Sequence, residues 1–196
     1  MDILIAVPTY ETILPDTFKS IWDLEQIPGI RYGFEFVRGY GAAKARNDIA
    51  KKAMDGEYAY VLFVDSDIVL PPYTLKYMVE DTPDICLGLY PKKNNTDGLA
   101  EVFKLGTGDF TDLYRYQELP EVSKIEVKGG GFGCALVATD VFRQLAYPWF
   151  KYVEYPNGSL LSEDLYFCET AGKAGYTIYA DTRVHCGHMT RKFQYT

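Results

Sequence analysis

Two aspartates one residue apart close the most apolar run of the chain, Val61-Leu62-Phe63-Val64-Asp65-Ser66-Asp67. In open α/β sheets, ligands bind beyond the carboxyl ends of the strands. A buried strand ending here delivers both carboxylates to that edge. Two acids this close repel each other unless a cation lies between them. Hard oxygen donors select Mg2+ or Mn2+, and such an ion ordinarily shares its coordination sphere with substrate phosphates. The pair therefore points to a metal and a diphosphate. The competing, purely structural role for Asp65 and Asp67 is to cap the turn and the helix after it.

A second acidic pair follows Ser162, in Ser162-Glu163-Asp164. Ser162 suits a helix N-cap, and acids are favoured in a first turn, which alone would account for the triplet. The chemical alternative makes Asp164 or Glu163 a general base toward an acceptor hydroxyl. The only two histidines lie in His185-Cys186-Gly187-His188. Imidazole is a common metal ligand, and one from a late strand or loop could complete a site begun by Asp65 and Asp67. Zinc held by Cys186 and His188 is a weaker option, because structural zinc spacing is absent. Arg38, Lys44, Arg46 and Asn47 flank the start of an expected helix, where helix N-termini and arginines attract phosphate. A solvated helix face is the default for Lys44, Lys51 and Lys52.

These groups need a scaffold. Asp2–Val7, Tyr32–Val37, Tyr58–Val64 and Asp84–Tyr90 are expected strands, and Thr12–Gln26, Gly41–Met54 and Tyr73–Glu80 expected helices. That alternation predicts an α/β fold with a mostly parallel sheet and helices on both faces. The second half differs. Ala100–Lys104, Leu113–Gln117 and Lys124–Val127 are short expected strands, and Gly129–Gly133 is expected to be a flexible hinge. It lies too late in the chain to be a dinucleotide fingerprint. Cys134–Ala138 is a strand and Thr139–Ala146 a helix capped by Thr139 or Asp140. Lys151–Leu161 is a loop and Ser162–Ala174 a helix, with strands expected at Thr177–Ala180 and Thr182–Cys186.

Composition narrows the class of function. The 196 residues suit one domain, and 47% hydrophobic residues can fill a core. The net charge of −7 carries no basic footprint, so a nucleic-acid partner is not expected. Seventeen tyrosines would suit a sugar-binding cleft as well as an ordinary core. The four cysteines are widely spaced, no signal peptide is expected before a strand that starts almost at Met1, and no apolar run could span a membrane. Reduced thiols in a cytoplasmic setting follow as the expectation.

In sequence order, these pieces resemble the GT-A-fold glycosyltransferases of the family-two-like superfamily, over nearly the whole chain. Ile3–Tyr10 is similar to the first strand and donor loop, and Ala45-Arg46-Asn47 to the helix under the donor. Val64–Asp67 resembles the DxD signature, Gly131–Leu136 the segment before the acceptor-side helix, and Ser162–Asp164 the "ED" motif. His188 resembles a late metal-binding histidine. The resemblance implies a single GT-A domain, with residues 1–92 binding the nucleotide-sugar and 93–196 the acceptor, and a small antiparallel part in the second half. It implies that Pro8, Thr9, Tyr10, Glu11, Arg38, Arg46, Asp65 and Ser66 hold a UDP- or GDP-sugar. Asp67, with Asp65 and His188, would hold Mn2+ or Mg2+. Asp164 would be the base of an inverting transfer to a carbohydrate or glycoconjugate acceptor. The short C-terminal part leaves a place for a partner domain. Arg38-Gly39 stands where the family usually has an acid near the base pocket, so the choice between UDP and GDP stays open. From another class, the chain could be a catalytically silent sugar- or nucleotide-binding module.

Overall fold

The computed structural model describes residues 1–38, 41–93, 98–106, 110, 112–120 and 123–189. The first half runs β1 (Asp2–Thr9), α1 (Pro15–Trp22), β2 (Arg31–Arg38), α2 (Ala42–Asp55), β3 (Tyr60–Val64), β4 (Ile68–Val69), α3 (Thr74–Met78) and β5 (Ile85–Leu89). There follow β6 (Val102–Leu105), β7 (Leu113–Arg115), β8 (Lys124–Val127), β9 (Gly129–Gly130), β10 (Cys134–Ala138) and α4 (Thr139–Gln144). The chain then forms β11 (Val153–Glu154), β12 (Leu160–Leu161), α5 (Glu163–Lys173), β13 (Ile178–His185) and β14 (Gly187–His188).

Seven strands form one sheet in the order β2-β1-β3-β10-β5-β13-β8. β1 runs parallel to β2 and β3, and β13 parallel to β5. Only β10 and β8 run against them. The sheet is thus mostly parallel, and the antiparallel β10 sits in its middle. Alternation along the strands sorts two cores, as a period of two requires. Leu4, Ala6, Val61, Phe63, Ala135 and Val137 face α2, α4 and α5. Ile3, Ile5, Leu62, Val64, Cys134 and Leu136 face α1 and α3. With helices covering both faces, the central strands can be apolar throughout.

Several elements differ from their sequence expectation for local reasons. The first helix covers only Pro15–Trp22, with Pro15 in its first turn, where a missing N–H costs nothing. Beyond it, Leu24 is buried and Glu25 N–H donates to the Pro72 carbonyl (2.8 Å), so apolar spacing continues after the helix has stopped. Neither Thr139 nor Asp140 caps α4. Its N-cap is Ala138. The expected 151–161 loop contains the small β11–β12 hairpin. The two expected late strands are one strand, β13, with an irregularity between Asp181 and His185.

The glycine run is no hinge. Gly129–Gly130 pairs with β6, and all five residues from Gly129 to Gly133 are buried. A Cβ on Gly130 would stand 2.8 Å from the Glu101 carbonyl oxygen, and one on Gly133 2.7 Å from the Tyr90 ring. These glycines serve close packing.

Phe63 anchors the α2/α4/α5 side, with ring centroids 5.7 Å from Phe132 and from Phe150. Phe63→Ala is expected to cost about 3–5 kcal/mol of unfolding free energy, read from the midpoint of urea denaturation at unchanged slope.

Candidate functional site

A cleft of about 350 Å³ opens at the carboxyl ends of β1 and β3, between them and the first turn of α5. Pro8, Thr9, Tyr10, Arg46, Asp65, Ser66, Asp67, Glu163 and Asp164 all line it. A neighbouring cleft of about 280 Å³ shares Tyr10, Ser66 and Asp67 and adds Glu11 and Lys93. Thr9 donates through its hydroxyl to the Thr12 carbonyl (2.8 Å), which shapes the loop after β1. Leu14 N–H donates to the Ser66 carbonyl (2.9 Å), tying that loop to the aspartate turn. Tyr10 projects into solvent, 70% exposed. Arg38 ends β2 in register with Thr9 and reaches the Glu11 carbonyl at 3.5 Å.

The two aspartates of the turn have different partners. Asp65 N–H donates to the Gly133 carbonyl (3.0 Å), and the Asp65 carboxylate accepts from Arg46 Nη2 (2.8 Å). Arg46 is buried, and its Nη1 donates to Glu163. Its guanidinium also lies 5.9 Å from the centre of the Phe132 ring. One cation on α2 thereby satisfies two acids from different elements. Burial raises the Asp65 pKa, and the Arg46 charge opposes that rise. Asn47 is equally committed: it donates to the Ala43 and Phe150 carbonyls and accepts from the Trp149 and Phe150 N–H groups. Arg46 and Asn47 thus tie elements together, and both Arg46 terminal nitrogens that could grip a phosphate are engaged with carboxylates.

Asp67 faces the other way. Its Oδ2 accepts from Lys93 Nζ (2.6 Å), and its Oδ1 lies 3.5 Å from His188 Nε2. His188 is brought there by β14, which pairs antiparallel with β4 and sets His188 opposite Ile68. Met189 N–H closes the ribbon on the Asp67 carbonyl (2.9 Å). The His188 Nδ1 is 2.8 Å from the Pro91 carbonyl oxygen. A carbonyl can only accept, so Nδ1 carries hydrogen and Nε2 is the atom that faces Asp67. Burial pushes the Asp67 carboxyl up, but hydrogen bonds from His188 and Lys93 outweigh it and hold the pKa at about 2. The His188 value is raised, chiefly by Asp67 and against burial.

Among the described residues, no three His, Cys, Asp or Glu side chains are grouped to hold a metal ion. The donors available to a cation are one carboxylate and one oriented imidazole, with Lys93 marking where positive charge is favoured. That set suits an ion that takes its remaining ligands from water and phosphate. Asp65 stands apart on Arg46. Cys186 is buried beside Cys134, in the core, which leaves His188 without the thiolate that a zinc pair would need.

Glu163 and Asp164 also part company. Glu163 turns inward to Arg46, and Asp164 remains at the cleft wall. Ser162 occupies the N-cap position of α5, but its hydroxyl bonds the Asp164 carboxylate rather than a helix N–H. Asp164 also accepts from Leu165 N–H (2.8 Å). His185 lies outside both clefts, beside Tyr116 and Gln117. The sequence pointed to neither Lys93 nor Tyr90. Both follow the buried β5 at the same sheet edge as Asp65, and that position was the available signal.

The Asp67–His188 pair carries a pH signature in metal-free protein. The depressed Asp67 value makes its contribution complete above the ordinary carboxylate range, fading as pH falls toward about 2. The raised His188 value makes its contribution complete below the unfolded imidazole value, fading as pH rises through the folded one. His188→Gln is therefore expected to lower the thermal midpoint more near pH ~5.5 than near pH ~8.5, measured by differential scanning calorimetry with chelator present.

No protein-family model matches the chain, and none of the curated proteins matches it in sequence. Solved structures do. "A197 from STIV" superposes with a TM-score of 0.68 at 19% identity, over 97% of this chain and 87% of that one. GalNAc-T7, crystallised with UDP, GalNAc and Mn2+, gives a TM-score of 0.63 at 10% identity, over 96% of this chain and 44% of that one. At such identities the likeness concerns the fold. The chain has a mixed α/β, GT-A-like fold.

Proposed function

We propose that this protein is a metal-dependent glycosyltransferase that moves a sugar from a nucleoside-diphosphate donor to an acceptor hydroxyl. The observation that carries it is one cleft with the Asp67 carboxylate, backed by His188, on one wall and Asp164 on another. Pro8, Thr9, Tyr10, Glu11, Arg38 and Ser66 frame the donor side. Asp67 and His188 would hold Mn2+ or Mg2+. When bound, the ion neutralises charge developing on the leaving diphosphate. Lys93, which bonds Asp67 and lines the adjoining cleft, would add positive charge beside the diphosphate.

Asp164 is the base in this scheme. Its oxygen takes the proton of the acceptor hydroxyl as that hydroxyl attacks the anomeric carbon. The bond from that carbon to the diphosphate oxygen breaks, and displacement inverts the centre. The hydroxyl of Ser162 and the N–H of Leu165 orient the carboxylate. Glu163, turned onto Arg46, positions the first turn of α5 and does not touch substrate. No helix among the described residues is long and apolar enough to cross a membrane, and the four free, buried cysteines suit a reducing cytoplasm.

Two measurements test the proposal. In a thermal-shift panel of UDP, GDP, CDP and dTDP, the donor nucleotide at saturating concentration should raise the midpoint by ~5–10 °C. The rise should require Mn2+ or Mg2+ and disappear in Asp67→Ala. A shift independent of metal would remove the ion from the mechanism. Asp164→Asn should keep the nucleotide shift and lose ~10²–10⁴ in the rate of metal-dependent donor turnover. Nucleotide binding with no turnover in the wild type would instead identify a silent binding module.

A further inference from the structure

β2 is the edge strand at one end of the sheet. It is eight residues long, and no described strand pairs with its outer side. The opposite edge, β8, has four residues, opens with Lys124 and is followed by Lys128, which are ordinary protections of an edge. β2 lacks such protection on the α1 face. Phe34 and Phe36 are each 41% exposed and pack edge to face at 4.6 Å. Phe18 of α1 joins them at 6.4 Å from Phe34, and Trp22 beside it is 80% exposed. An apolar groove of about 330 Å³ runs between α1 and β2. A long open edge with adjoining aromatics is a template for another strand.

We propose that the occupant is a second copy of this chain, paired antiparallel through β2 about a two-fold axis at Gly33. The strand's own sequence selects that register. With Gly33 opposite Gly33 of the second copy, Arg31 faces Glu35, Tyr32 faces Phe34, and Ile30 faces Phe36. The apolar pairs fall on the α1 face, and the charged pairs on the α2 face. Asp2 already binds Arg31 at 2.6 Å, and Lys52 binds Glu35 at 3.0 Å. Across the axis these become rows of alternating sign: Asp2, Arg31, then Glu35 and Lys52 of the other copy. Moving the axis to Glu35 would oppose that carboxylate to itself. Moving it to Phe34 would oppose Arg31 to Val37 and Gly33 to Glu35, leaving both charges without an opposite partner across the axis. Like charges directly opposite destabilise a strand pair and the Phe34 axis forfeits the charge match, so both alternatives are disfavoured. The register is self-complementary, as a closed two-fold contact requires.

Sedimentation equilibrium across a concentration series tests this, independently of any nucleotide or metal. Wild-type protein should be a dimer. Glu35→Arg and Arg31→Glu should each weaken dimerisation about tenfold or more. The combined swap, R31E with E35R, should recover only part of the loss, because it restores the cross-axis pair while setting like charges against Asp2 and Lys52 within each copy. Both positions are at the surface, and circular dichroism checks that the fold is intact. Trp22→Ser should weaken the dimer without disturbing the charge pairs. A wild type that stays monomeric, a dimer indifferent to either reversal, or a double swap no tighter than the single reversals would each overturn the proposal.

Discussion

A single buried guanidinium holds the floor of the cleft together. Arg46 leaves water entirely, which is costly for a charge unless its partners are close and well oriented. Asp65 at the end of β3 and Glu163 at the start of α5 supply those partners. The three residues come from elements far apart in the chain, and their mutual neutralisation fixes how α2, β3 and α5 meet. Asp164 stands at the cleft wall because its neighbour is committed inward. Asp67 can remain in the open cleft because Asp65 next to it is already neutralised. Removing Arg46 would take the shared cation from both acids and leave Glu163 buried without it.

The parts legible in the sequence were those written in local pattern. The apolar run of β3 ending in acids placed Asp65 and Asp67 at the sheet edge, and the strand–helix alternation gave a parallel sheet with helices on both faces. What the sequence left undetermined were choices made by distant partners. Adjacent residues on a helix point about 100° apart, so only one of Glu163 and Asp164 can turn inward onto a buried partner. Which one depends on Arg46, more than a hundred residues away. The separate fates of Asp65 and Asp67 likewise depend on Arg46, Lys93 and His188. β4 and β14 are two residues each, too short to carry any periodicity. Glycine composition suggested freedom at residues 129–133, where the packing of Tyr90 and Leu87 instead requires the absence of a side chain.

Two types of positive charge meet the acids here, and they act differently. Arg46 is planar, multiply bonded and buried, a fixed part of the scaffold. Lys93 is partly exposed, at the end of a flexible stem, on a carboxylate already held down in pKa. Exposed pairs of this sort are worth little in stability and are readily exchanged. A cation arriving at Asp67 therefore competes with a weakly held partner, while Asp65 stays on its arginine.

The central position of β10 bears on how the chain is made. β3 and β5, though close in sequence, are not neighbours in the sheet; residues 134–138 lie between them. As the polypeptide leaves the ribosome, the first ninety or so residues present β1, β2 and β3 with one flank of β3 unpaired, and β5 with none of its sheet partners. Neither strand can complete its hydrogen bonds until the glycine run and β10 have been synthesised. The stretch from β1 to β5 is thus not a self-sufficient folding unit. It waits, with apolar strand edges open, for a segment encoded much later, a period in which a nascent chain is most exposed to misassociation.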